Sequence, residues 1–167
     1  VRPLGGAARW WLAQSLRALG ASIEKAGGQL VLRRGEAVKV IAALAREADA
    51  GAVYWNDIAQ APHMEIADQV NAALDGIGVA SKIFPGDLLV HPGQIRNKEN
   101  RGLRVFTPFW RRVQSLDNPP AALPAPKKLA AGPKFASDAL ESWRLEPTKP
   151  DWAGGLRRNW TPGEASA

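Results

Sequence analysis

Residues 8–84 alternate between helical and strand periodicity, and no other feature of the chain narrows its fold as far. Across residues 8–25, Ala8, Trp11, Leu12, Leu16, Leu19 and Ile23 recur at helical spacing. Gly27-Gly28 stop that run. Residues 29–33 (QLVLR) form a short β-prone run that ends before Gly35. Residues 36–48 return to the helical period, with Val38, Ile41 and Ala45 inward. Residues 52–55 (AVYW) read as a strand compatible with burial on both faces. After a loop over 56–63, Ile66, Val70, Ala73 and Ile77 mark the inner face of a third helix, closed by Gly78. Residues 79–84 are the third strand, broken by Pro85-Gly86, with 88–90 as a short strand-like remainder. Helix and strand in strict turn, on short connections, predict an α/β fold: a Rossmann-like parallel sheet with helices on both faces. In such sheets ligands bind outside the carboxyl ends of the strands, here 33–36, 56–63 and 84–87. Neither GxGxxG nor a Walker loop is present, which argues against a classical dinucleotide or P-loop site.

Composition excludes several chemistries. The 167 residues contain no cysteine, so disulfides, thiol catalysis and thiolate metal sites are absent. The two histidines, His63 and His91, lie apart without ligand spacing, and no metal site is expected. No Ser/His/Asp set or close carboxylate pair suggests hydrolytic catalysis. The formal net charge of +6 favours polyanions without designating a surface. Arg96, Lys98, Arg101 and Arg104, followed by Arg111 and Arg112, could touch phosphates but read more simply as a solvated basic loop. No apolar run is long enough to span a bilayer and no signal peptide opens the chain, so a soluble, cytoplasmic protein without a membrane partner is the default expectation.

The second half begins with Arg104-Val105-Phe106-Thr107-Pro108-Phe109-Trp110. Thr107 is placed to cap a helix and Pro108 to occupy its first position, with Phe109, Val113 and Leu116 forming one buried face. From Asp117 onward the composition changes, starting at Asn118-Pro119-Pro120, and this stretch holds eight of the thirteen prolines. It should run extended and irregular, with helix limited to 137–143. Trp143, Trp152 and Trp160 argue for an ordered wrap, lying against the chain's own sheet or a following domain. Thr161-Pro162-Gly163-Glu164 reads as a capping box announcing a helix, yet only Ala165, Ser166 and Ala167 follow. With Val1 as its first residue, the chain reads as a piece of a longer protein.

Four stretches, in this order and spacing, resemble the DNA photolyase and cryptochrome family. Residues 4–12 (LGGAARWWL) resemble its "GGASRWWL" helix start, and residues 30–35 its "LVLRRG" strand. Val53-Tyr54-Trp55-Asn56 resembles its "VYWN" strand end, and residues 105–110 its "VFTPFW" signature. A weaker match, Trp160-Thr161-Pro162-Gly163-Glu164, resembles the "W.PGE" lead into its flavin-binding domain.

The resemblance implies a two-domain parent protein. An α/β domain carries an antenna pigment, a deazaflavin or methenyltetrahydrofolate, and a helical domain binds FAD and UV-damaged DNA. Photolyases of the family split pyrimidine dimers by electron transfer from excited reduced FAD, on bases flipped from the duplex. Residues 1–116 would then be the N-terminal α/β domain lacking its first strands, 117–158 the interdomain linker and 159–167 the lead into the FAD-binding domain. No catalytic residue would lie here, and this stretch alone would neither bind FAD nor repair DNA. Without the family's opening strands, the 29–33 strand lacks a neighbour, so the sheet should be completed by a longer chain or by a second copy through a strand swap. A cryptochrome light sensor is the alternative within the family. A stand-alone Rossmann-like nucleotide-binding module, or a basic nucleic-acid-binding module, is the alternative from another class.

The antenna pocket is the one site the resemblance assigns to this stretch. It points to Arg9 and to the loop after Trp55-Asn56, which in the family often reads "WNR.YEP". Residues 55–62 are one residue longer and lack the Tyr-Glu pair, which weakens the case for folate. Asp57 or Gln60 would then be the hydrogen-bond partner of a pterin or deazaflavin ring. Structural roles compete: Asn56 and Asp57 as a strand-end turn, Arg9 as the partner of a carboxylate, Trp10 and Trp11 as packing residues.

Overall fold

The computed structural model describes residues 3–58, 60–86, 88–117, 121 and 123–166. Ala59, Asp87 and Asn118-Pro119-Pro120, all in expected loops, lie outside that set. The order of regular elements is α1 (Gly6–Lys25), α2 (Ala37–Glu47), β1 (Ala52–Asn56), α3 (Ala61–Asp75), β2 (Ala80–Phe84), α4 (Phe106–Gln114) and α5 (Gly154–Asn159). They fall into two compact units, Val1–Arg34 with Pro124–Ala167, and Gly35–Leu123.

In the Gly35–Leu123 unit, β1 and β2 pair in parallel, in a register that sets Ala52 against Ala80 and Asn56 against Phe84. The α/β reading with a parallel sheet therefore holds. Successive side chains alternate across the pleat, so Val53 and Trp55 point to one face and Tyr54 to the other. Val53 and Trp55 pack on a core of Ala45 from α2, Val70 and Leu74 from α3, and Val79. Leu74 is fully buried, while Tyr54 is 65% exposed and meets Phe84 edge-on at 5.9 Å. The inner face of α3 is thus Val70 and Leu74, one position from the expected Ala73, and Ile66 is exposed. Residues 88–90 form no strand.

Helices α2 and α3 end in the same way. The N–H of Ala50 reaches the Ala45 carbonyl at 2.9 Å, and that of Val79 reaches Leu74 at 3.0 Å. Each closure needs one left-handed residue: Asp49 at φ +46° after α2 and Gly78 at φ +72° after α3. This stop returns the chain sharply and delivers it into the next strand.

Helix α4 departs from its expected start. It begins at Phe106 with Val105 as the residue before it, so Thr107 sits inside the first turn without capping it. Pro108 remains tolerated, because the first four N–H groups of a helix have no intrahelical acceptor. Nor does α4 carry a buried face: none of its residues is buried, and Phe106 stacks on Trp110 with ring centres 6.4 Å apart.

In the other unit, α1 closes on Gly27 at φ +92°, with Gly28 N–H donating to Ile23 O at 2.9 Å. Its buried residues are Trp10 and Ala13, whereas the expected stripe residue Trp11 is 40% exposed and touches Trp160 edge-on. Trp152 explains the rotation, since it packs so closely on the start of α1 that a Cβ on Gly6 would lie 2.8 Å from its ring.

The strand expected at 29–33 is absent. This stretch is extended, but it meets the proline-rich segment through side-chain hydrogen bonds and a single backbone one, not through a ladder. Leu32 N–H donates to Ser137 Oγ and Leu32 O accepts from Asp138 N–H, both at 2.8 Å. The Gln29 amide donates to Phe135 O at 2.8 Å and accepts from Phe135 N–H at 3.0 Å. High β-propensity yields a strand only where a partner strand is offered. The ordered wrap is present, and within this unit it lies against α1 and the 26–34 stretch. It contains a 3-10 turn at Leu140–Trp143 and α5, which the Gly154-Gly155 pair concealed in the sequence. After Thr161 the described residues form a 3-10 turn, Glu164–Ser166.

Candidate functional site

Parallel pairing of β1 and β2 puts both carboxyl ends at the same edge, and the chain there is tightly fitted. Asp57 N–H extends the ladder to Phe84 O at 2.8 Å. Just past β2, Gly86 lies against that turn so closely that a Cβ would fall 2.3 Å from the Asp57 carbonyl oxygen. The Asp57 carboxylate lies 3.3 Å from His91 Nε2. His91 Nδ1 accepts Gly93 N–H at 3.1 Å, which leaves Nε2 as the protonated nitrogen of the neutral ring, facing Asp57.

A cavity of about 670 Å³ runs along β1 between α2 and α3. Its length is apolar, with Ile41 and Leu44 on one wall and Ile66 and Val70 on the other. Polarity gathers at one end, where Asn56, Asp57 and His63 line it. His63 Nδ1 is buried without a hydrogen-bond partner, a costly arrangement unless a donor or acceptor is brought to it. Sequence reasoning weighed His63 and His91 only as metal ligands and placed neither at this end. The Pro62-His63 step at a helix start was the available cue for the first, and nothing local signalled the second.

The four expected pocket residues are therefore placed as follows. Asn56 and Asp57 stand together at the polar end of the cavity. Gln60 precedes α3, where its carbonyl accepts His63 N–H at 2.9 Å and its side chain makes no cap. Arg9 belongs to the other unit and lines a different cavity of about 710 Å³, with Glu141, Arg144 and Trp152. Its guanidinium donates to the Arg144 carbonyl rather than to a carboxylate.

In that same unit, Arg17 of α1 bridges Glu146 at 2.5 Å and Glu141 at 3.3 Å. Gln14 adds a hydrogen bond to Glu146 at 2.5 Å. The hydrogen bond from Arg17 holds the Glu146 carboxyl below its ordinary range, and the same bond raises the Arg17 guanidinium. This cluster fastens the wrap to α1. Among the described residues, no group of three or more His, Asp or Glu side chains could hold a metal ion, and no helix is long and apolar enough to cross a membrane.

The model of the DNA photolyase family matches residues 1–127, more than three quarters of the chain. The chain belongs to the DNA photolyase family. Over 167 aligned residues it is 42% identical to a deoxyribodipyrimidine photo-lyase of Agrobacterium fabrum, covering 99% of this chain and 35% of that protein. Cryptochrome-1 of Arabidopsis thaliana is more distant, at 27% identity over 95% of this chain and 24% of its own length. The crystal structure of a bacterial class III photolyase from Agrobacterium tumefaciens superposes with a TM-score of 0.92 at 41% identity, over 99% of this chain and 35% of that one. A Synechocystis cryptochrome shares the fold, with a TM-score of 0.73. The chain thus spans about a third of the length of its photolyase relatives or less.

Proposed function

We propose that this chain is the N-terminal domain and interdomain linker of a deoxyribodipyrimidine photo-lyase. The whole protein would split UV-induced pyrimidine dimers with an electron from photoexcited reduced FAD. The carrying observation is the 42% identity to a photo-lyase across almost the whole chain, against 27% for a cryptochrome. Residues 1–116 serve as the α/β antenna and scaffold domain, 117–158 as the linker and 159–167 as the lead into the FAD-binding helical domain. FAD and the lesion are held by that further domain, and the protein works in the cytoplasm. The exposed Phe106–Trp110 pair on α4 offers an apolar surface for the FAD-binding domain to cover.

The sheet is completed in the whole protein. Among the described residues β1 pairs on one side only, and its other edge runs along the apolar cavity. A further strand of the whole protein laid along Ala52–Trp55 satisfies those backbone groups and leaves the polar end open.

That polar end is the antenna site. Asn56 and Asp57 supply the hydrogen-bonding edge for a deazaflavin or methenyltetrahydrofolate, and the unpartnered His63 Nδ1 fits a donor on such a ring. Gln60, just before α3, belongs to the same set in the family pattern; Arg9, the fourth residue of that pattern, lies in the other unit beside Glu141, Arg144 and Trp152. Flavin absorption from the whole protein purified in the dark tests the family function, and an added near-UV or blue band tests the antenna. Asp57→Ala should remove that band while sparing the flavin bands. A colourless whole protein would sink the reading.

A further inference from the structure

Between β2 and α4 the chain concentrates positive charge: residues 96–112 hold Arg96, Lys98, Arg101, Arg104, Arg111 and Arg112 against one carboxylate, Glu99. A solvated basic loop would hold these side chains on loose backbone. This backbone is fixed. Ile95 is 4% exposed and anchors the loop, and Arg96 bridges to Gly102 in antiparallel fashion. Inside the turn, Asn97 Oδ1 accepts the N–H groups of Glu99 and Arg101 at 3.1 and 2.8 Å, and Asn97 N–H donates to Arg101 O at 2.8 Å. Asn97 also holds the Glu99 carboxylate, at 2.5 Å, within the turn.

The result is a shaped surface. Arg96, Arg101 and Arg104 line an open hollow with Asn97 and Asn100, and no carboxylate borders it. Arg96 and Asn100 are shared with a second hollow, where Gln94 and Arg112 stand beside apolar Leu88–Val90 and one carboxylate, Asp117. None of these arginines ion-pairs with a carboxylate among the described residues. Exposed guanidinium groups without carboxylate partners, carried on a hydrogen-bonded turn, suit phosphate oxygens. Their spread over two adjoining hollows suits a ligand with charge repeated along its length better than a single anion.

We propose that this surface of the N-terminal domain grips the phosphate backbone of duplex DNA, independently of sequence and of any lesion. The inference rests on the photo-lyase reading for its choice of polyanion. Phosphate contacts of this kind position a protein on the duplex without reading bases, and each releases counterions.

The test uses the whole protein and an undamaged duplex, with affinity measured across a salt series. The Arg96→Gln/Arg101→Gln/Arg104→Gln variant should lower the slope of log affinity against log salt by about 2–3, near one for each phosphate no longer neutralised. Lys39→Gln, a cation paired with Glu36 elsewhere on the chain, should leave the slope unchanged. Light-driven dimer repair at low salt should survive in the triple variant. A triple variant with the wild-type slope and intact repair would overturn the inference and leave the photo-lyase reading standing. A wild-type whole protein with neither duplex binding nor repair would overturn both.

Discussion

The Arg17 guanidinium meets the Glu146 carboxylate at 2.5 Å, tying the proline-rich segment to α1. Because Arg17 depresses the Glu146 carboxyl, the pair's stabilisation is complete above the ordinary carboxylate range of about 4.3. It is lost as pH falls through the depressed value. Both side chains are about a third exposed or more, so the pair contributes under about 1 kcal/mol. Amide protection at Leu140–Trp143, taken relative to the intrinsic exchange rate, should therefore fall selectively in acid, below the ordinary carboxylate range, and Glu146→Gln should show the lower protection already at pH 7.

Gly86 sets the geometry of the strand-end site. With Asp57 O only 2.3 Å from the ideal Cβ position, and that neighbour being backbone, Gly86→Ala must displace one of the two segments. The cost should be about 1–3 kcal/mol, read as a lower denaturation midpoint. If the antenna sits at Asn56–Asp57, its absorption band should weaken in the same variant while the flavin bands persist.

The fully buried Leu74 carries the α2–α3–sheet core. Leu74→Ala should destabilise by about 2–5 kcal/mol, with the loss falling in the Gly35–Leu123 unit when followed by amide exchange. A loss under about 1 kcal/mol would contradict the packing described.

Among the described residues one edge of β1 is unpaired, which predicts association. Expressed alone, the 167-residue chain should sediment as a dimer or larger species, since an apolar strand edge invites another strand. The whole protein, with its sheet completed, should sediment as a monomer at the same concentration.

The helices and the parallel pair were legible because local pattern and tertiary burial agree there. Val38, Ile41 and Ala45 fall on one face of α2, and Gly78 stops α3 where a left-handed residue is needed. Residues 29–33 misled because β-propensity describes the stretch while pairing depends on what lies beside it. Ser137 and Phe135, remote in sequence, supply hydrogen bonds that a strand would have supplied. On α1 the pattern could not show that Trp152 would settle at Gly6 and turn Trp10 inward. Asn56 and Asp57 were legible as a strand end. Their neighbours His63 and His91 were not, because only the closed fold brings them to that end. The basic loop was visible as composition, but its shape rests on Asn97, a residue whose hydrogen bonds no charge count reveals.

The proposed parent protein is a light-driven DNA repair enzyme. The most direct test is the loss of cyclobutane pyrimidine dimers from UV-irradiated DNA mixed with the whole protein, under blue light and in the dark. The account predicts loss of dimers in the light and none in the dark. Equal dimer levels in both, from protein with its flavin bound and reduced, would contradict it.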